Sequence, residues 1–375
     1  MFNEDNIKEL DNYQFRIDNF RKYSALSAPK WKRIAHNVEV PEDYKKFGGV
    51  SVRNTEQDGL TVKKINEALN EIEKYNNDNE YGLNEFFNSQ MFSFYNSGKF
   101  IHINERKKLE DTVCINYNFN KENNLLIDYN VIVAEDFSEG TVIINYNSED
   151  DTEAYHNGMI KIIAKPNSKL KIIKIQNLNL NSYNFEGSKA EIFGNADAAI
   201  YSMEMGAKVN AVSNKSYLEE NGAKIEIWPG YLADKDRKVD LEYSVIFRGR
   251  DTSGIIEGRG AVKDTARKVF RGNLYFKKGA AHSVGREGEF AILLDKGVRS
   301  DSIPGLFCDE DDVIGEHSAS IGKVDEAKLF YLMSRGLSEN NAKKLIIESS
   351  FKPILNSIDD TDMKNKLLEE LEKRI

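Results

Sequence analysis

Asn167-Ser168-Lys169-Leu170-Lys171-Ile172, Gly187-Ser188-Lys189-Ala190-Glu191-Ile192, Gly206-Ala207-Lys208-Val209 and Gly222-Ala223-Lys224-Ile225-Glu226-Ile227 are four versions of one short phrase. Each sets a turn-forming residue and a small residue ahead of a strand, and the phrase returns at intervals of roughly 16 to 20 residues. Side chains of a strand alternate between its two faces, so Leu170 with Ile172, and Ala223 with Ile225 and Ile227, bury one face. Helical repeats are longer than this interval. It suits the rungs of a β-solenoid, in which each turn buries its apolar face against the next. A β-sandwich built of hairpins is the competing reading of the same periodicity. Val113, Ile115 and Tyr117 alternate in the same way, and the strand texture runs over residues 96–322.

Outward from this core the pattern changes. Over residues 1–95, Ile65, Leu69 and Ile72 recur at helical spacing, Leu83, Phe86 and Phe87 form a second cluster, and Pro29 and Pro41 break the region into short helices. Residues 323–375 read as a helical unit. Asp325 is a candidate N-cap, Leu329, Phe330, Leu332 and Met333 come after it, and Gly336 suits the left-handed position after a helix. A second helix starts near Ser338, Pro353 is expected to interrupt the chain beyond it, and Met363, Leu367, Leu368 and Leu371 mark a last amphipathic stretch. The unit carries more apolar surface than it can bury alone, so it packs on the solenoid or meets a partner. An open solenoid end is an unpaired edge, so the helical regions are candidate caps and a terminal rung is a candidate subunit contact.

A formal net charge of −9 over 375 residues argues against a binder of nucleic-acid phosphates. Cys114 and Cys308 are the only cysteines, too few for a disulfide framework or for four-thiolate cluster ligation, so any cluster must borrow ligands. MFNEDNIKEL has no apolar signal region and no long apolar run occurs, so the expectation is a cytoplasmic protein without a membrane segment. Gly254-Ile255-Ile256-Glu257-Gly258-Arg259-Gly260 lacks a following Gly-Lys-Ser or Gly-Lys-Thr and is no phosphate cradle. No nucleophile-elbow pattern occurs either, and His36, His102, His156 and His282 read as structural.

The chemistry is concentrated near His317, which shares its neighbourhood with Cys308, Asp309, Glu310, Asp311, Asp312 and Glu316, a mixture able to hold iron. A solvated acidic turn with a buried small Cys308 is the plain alternative, and Glu316 is expected to lie on that turn.

Asp311-Asp312-Val313, His317-Ser318-Ala319-Ser320-Ile321-Gly322 and Leu329-Phe330-Tyr331-Leu332-Met333-Ser334-Arg335-Gly336-Leu337 resemble the C-terminal signature of the SufB/SufD family of iron-sulfur cluster assembly scaffolds. Phe270-Arg271-Gly272, Ala291-Ile292-Leu293-Leu294 and Pro304-Gly305-Leu306 fit the same pattern in order, and Lys30-Trp31-Lys32-Arg33 looks like its early aromatic-basic segment. SufB-like members carry a cysteine where this chain has Gly297, and a glutamate after the histidine where it has Ser318. Both departures point to the SufD side. The resemblance implies a right-handed parallel β-helix between helical terminal regions, in a scaffold subunit without catalytic activity of its own. It implies a SufB-like paralogue and a SufC-like ABC-type ATPase as partners, with a homodimer as the alternative assembly. It implies a transient iron-sulfur cluster or iron shared with a partner. His317 would be an interface residue and candidate iron ligand, with Glu316 and Cys308 as lesser candidates. Phe330, Tyr331, Leu332 and Arg335 would dock the ATPase. The rival is a carbohydrate-binding or carbohydrate-active β-solenoid, since fold does not fix function.

Overall fold

The computed structural model describes the chain except residues 1, 9, 32–35, 38, 39, 42, 43 and 76–81. Lys32 and Arg33 of the aromatic-basic segment therefore lie outside the described residues.

A β-solenoid of about 8 turns spans residues 100–323, with helices at both termini. Each turn gives one strand to each of two sheets, and neighbouring strands within a sheet pair in parallel. Lys169 pairs with Glu139, Asp197 with Lys169 and Lys224 with Asp197, so successive turns take 30, 28 and 27 residues. The shorter interval in the sequence is thus not the turn. It arises because each turn contains two strands, so the repeated phrase marks positions in both sheets. Gly187-Ser188-Lys189 even lies inside the strand Tyr183–Ile192. Gly187 is required there by close backbone approach, since a Cβ would stand 1.8 Å from the Cα of Gly82.

Parallel register stacks like on like through the core. Val113, Val142, Ile172, Ile200, Ile227 and Ile256 form one inward-facing column, each residue the register partner of the next and all buried. Branched side chains pack well on such a pleated, buried surface. The interior also holds a polar network. His156 lies 2.7 Å from Asp128 and 2.5 Å from Asn184; Asn184 donates to Asn210 at 2.7 Å, and Asn210 to Glu204 at 3.1 Å. Lys174 donates to Glu186 at 2.5 Å and pairs with Glu204 at 2.6 Å. Burial opposes charge on His156, but Asp128 and Glu186 outweigh it and hold its pKa above the usual value.

Helices cover the outer faces of the two sheets. Helix α1 (Tyr13–Ala25) and helix α2 (Glu85–Phe94) lie on one side, where Phe87 stacks on Phe185 with ring centroids 4.6 Å apart. The N-terminal region, read as helical, also supplies strands. Val50–Arg53 and Leu60–Lys64 pair antiparallel with Val113–Phe119 and Lys99–Ile103 at the start of the solenoid.

On the C-terminal side, α3 (Glu326–Ser334) is followed by α4 (Glu339–Ser357) and α5 (Thr361–Arg374). The expected caps are present. Asp325 accepts from the backbone N–H groups of Ala327 and Lys328, Ser338 accepts from that of Asn341, and Gly336 has φ +96°. Pro353, expected to interrupt the chain, lies inside α4. Phe351, Ile354 and Leu355 on either side of it are buried against Ile173, Met203 and Leu232 of the sheet, and that packing keeps the helix continuous despite the lost N–H. So α4 and α5 cover a flank of the solenoid, whereas α3 buries no residue. Among the described residues no helix is long and apolar enough to cross a membrane.

Candidate functional site at the open end of the solenoid

The last strand, Val313–Lys323, pairs on one side with Ser283–Leu293, and no described strand pairs with its other side. Most of its residues are exposed. The other sheet likewise ends on the short strands Arg299–Ser302 and Gly305–Cys308. Backbone N–H and C=O groups along such an edge are a template for another chain.

His317 sits in the middle of this strand, with an exposed side chain. It is the register partner of Glu287, which is the partner of Ile256. The inward column that is aliphatic for six turns therefore ends in a carboxylate and then an imidazole. Glu316, expected on an acidic turn, is in the strand as well. It points the opposite way from His317 and pairs with Arg286 at 3.0 Å, both side chains exposed. The turn before the strand, which crosses from one sheet to the other, holds further acids: Lys277 pairs with Asp309 at 3.0 Å, Glu310 accepts from the backbone N–H of Gly279 at 2.9 Å, and Asp312 lies 3.0 Å from His282.

Cys308 is exposed, which corrects the reading of it as a small buried residue. It ends the strand before the turn, opposite the start of the His317 strand. Neither a hydrogen bond nor an ion pair joins Cys308 to His317, and among the described residues no three His, Cys, Asp or Glu side chains are grouped to hold a metal ion. Cys114 lies buried on the far flank beneath the tail helices, where burial pushes its thiol pKa up. Gly297 lies in the turn after the strand Ser283–Leu293, and a Cβ there would meet the carbonyl oxygen of Asp264 at 2.8 Å. Any larger residue at 297 requires this turn to shift.

Two carboxylates beneath the open end escaped sequence reasoning. Glu289 is fully buried and held through one oxygen, Oε1, to which Tyr231 donates at 2.5 Å and with which Lys268 pairs; its Oε2 has no hydrogen-bond partner among the described residues. Glu287 is 3% exposed, and neither of its carboxylate oxygens has a hydrogen-bond partner among the described residues. Burial first, then the charges of Glu289 and Glu257, push its pKa up to about 8. The folded chain keeps a proton that the unfolded chain gives up near pH 4.5, so this group's contribution to stability falls as pH rises from about 4.5 to about 8. Each pH unit in that window is expected to remove up to about 1.4 kcal/mol, and Glu287→Gln should flatten that part of the profile. Denaturant midpoints at pH 5.5 and pH 8 for both proteins check this. Parallel profiles would place the Glu287 pKa near its ordinary value.

The four residues expected to dock an ATPase lie on α3 or just after it. Phe330 is 74% exposed and Tyr331 56%. Tyr331 and Leu332, with Ala327, Leu345 and Ile346, line an apolar groove of about 560 Å³ between α3 and α4. Arg335 lies 5.3 Å from the centre of the Tyr331 ring. This groove is on the helical unit, separate from the edge that carries His317.

The solenoid thus ends on an open, chemically mixed terminal strand and carries a helical unit on its flank. The chain matches the family model of the SUF system FeS cluster assembly, SufBD core domain, over residues 117–350. It belongs to the SufBD family of iron-sulfur cluster assembly proteins. It is 25% identical to the iron-sulfur cluster assembly protein SufD of Bacillus subtilis over 282 residues, covering 75% of this chain and 64% of that one. It is 26% identical over 359 residues to the iron-sulfur cluster assembly SufBD family protein SSP1857 of Staphylococcus saprophyticus, covering 87% of this chain and 74% of that protein. The match to the Bacillus protein thus spans less than two thirds of its length.

Proposed function

We propose that this chain is the SufD-side subunit of a cluster assembly scaffold, joined to a SufB-like paralogue across the open terminal strand. The observation that carries this reading is His317 on an unpaired edge, exposed and at the end of the inward column. Docking a second edge there would satisfy its backbone groups and bring a partner's ligands to the imidazole. Iron and sulfide are then substrates that pass through the interface, with His317 as one iron ligand or proton relay. Glu316 is held by Arg286 and Cys308 lies at the other end of the terminal turn, so both have secondary roles on this reading. Gly297 and Ser318, in place of the SufB-type cysteine and glutamate, support the SufD side. The groove at Tyr331 and Leu332 fits a SufC-like ATPase, whose nucleotide-driven motion would reach the solenoid through α4, packed on the sheet.

The test is His317→Ala in the complex reconstituted with the SufB-like and ATPase partners. Cluster formation should fall to background while the melting temperature changes little, because an exposed strand residue typically costs under about 1 kcal/mol. Normal assembly by the variant would refute the role of His317. A folded chain that forms only homodimers and never joins the paralogue would refute the pairing.

A further inference from the structure

An unpaired buried carboxylate is costly, and at this column position Val113, Val142, Ile172, Ile200, Ile227 and Ile256 show that an aliphatic side chain satisfies the packing. Glu287 departs from that pattern immediately beneath His317. Its neighbour Glu289 has Tyr231 and Lys268 on one carboxylate oxygen, so one of the two acids is anchored by this chain while Glu287 has neither oxygen bonded among the described residues. Room for the other is left on the opposite sheet: a Cβ on Gly272 would meet the Glu287 carboxyl group at 2.4 Å. The hydroxyls of Ser300 and Ser302, on the terminal strand of that sheet, are also buried without a hydrogen-bond partner among the described residues. The end of the solenoid thus gathers polar atoms that no described residue of this chain satisfies.

We propose that Glu287 is the positioning residue of His317: when a partner covers the terminal turn, its carboxyl accepts the N–H of one imidazole nitrogen and leaves the other free to face iron. Register partners on neighbouring strands lie about 4.8 Å apart, so a glutamate stem reaches the ring by a change of rotamer. A carboxyl acceptor behind a histidine ligand fixes its tautomer and ring orientation. Such an arrangement gives the cost of burying Glu287 a function. It rests on the reading of His317 given above and extends it by one residue.

The experiment compares Glu287→Leu, Glu287→Gln and His317→Ala in the reconstituted three-protein complex. Glu287→Leu should lower cluster formation by roughly 10- to 100-fold. Its melting temperature should hold or rise, because an orphaned carboxyl is replaced by an apolar group of the kind the column elsewhere contains. Glu287→Gln keeps a carbonyl acceptor and should restore most of the activity. Nitrogen-15 spectra of histidine-labelled chain in the complex should show one neutral His317 tautomer in the native protein and a mixture in Glu287→Leu. Unchanged assembly and unchanged His317 spectra in Glu287→Leu would overturn the proposal. So would a parallel fall in assembly and melting temperature that glutamine does not rescue, which marks a structural residue. If His317→Ala assembles clusters normally, the reading of His317 itself fails, an outcome distinct from failure at Glu287 alone.

Discussion

Lys174→Met is expected to destabilise the solenoid by about 3–5 kcal/mol, because it strips the counter-charge from two buried carboxylates at once. Lys174 is 5% exposed and reaches Glu186 at 2.5 Å and Glu204 at 2.6 Å, both glutamates being 1% exposed. Burial opposes the lysine charge, but the two glutamates more than offset it and hold its pKa well above the ordinary value, so the ion stays charged across the physiological range. Methionine matches the stem in size and leaves the carboxylates facing each other in a low dielectric. Adding Glu186→Gln and Glu204→Gln removes that repulsion and should recover most of the loss, since replacing a whole buried ion group is often close to neutral. Guanidinium denaturation of the single and triple variants measures both numbers. A cost below about 1 kcal/mol for Lys174→Met would mean that solvent reaches this network.

The second large effect concerns the helical tail. Removing residues 323–375 has the initial appeal of deleting an appendage, but α4 and α5 bury Ile347, Phe351, Ile354, Leu367 and Leu371 against Ile143, Ile173, Met203 and Leu232. The truncated chain exposes a continuous apolar flank and is expected to aggregate, as read by light scattering. The informative variant is Phe330→Ala with Tyr331→Ala. Both side chains are exposed, so stability should stay within about 0.5 kcal/mol of the native chain. On the proposed function, affinity for a SufC-like ATPase should fall by at least about tenfold if these aromatic residues anchor the contact. Full binding by the double variant would remove α3 from the interface, and a soluble, cooperatively folding truncation would show that the flank is stable without its cover.

Much of this architecture is legible in the chain. Period-two alternation, small residues at the strand starts and the return of one phrase identify stacked strands, because a solenoid writes each turn with the same local chemistry. The capping signals at Asp325, Gly336 and Ser338 are equally plain, since a cap is settled by a few adjacent residues. Family motifs around His317 mark the strand that ends the core.

Features that depend on residues far apart in sequence come only from the fold. Sequence alone gives too short a turn, because strands of two different sheets carry similar phrases and only pairing tells them apart. Pro353 reads as a break, yet packing on both sides of it holds the helix. Glu316 and His317 read as turn and metal candidates alike, and strand geometry sends them to opposite faces. Glu287 is invisible to pattern, since alternation assigns a glutamate to the solvent side. Its inward position comes from the register that sets it between Ile256 and His317. Local sequence determined that this chain winds into stacked strands with helical ends. Long-range register decided which side chains meet at the open end, because the free energy of burying a carboxylate or an imidazole depends on neighbours that lie a full turn away.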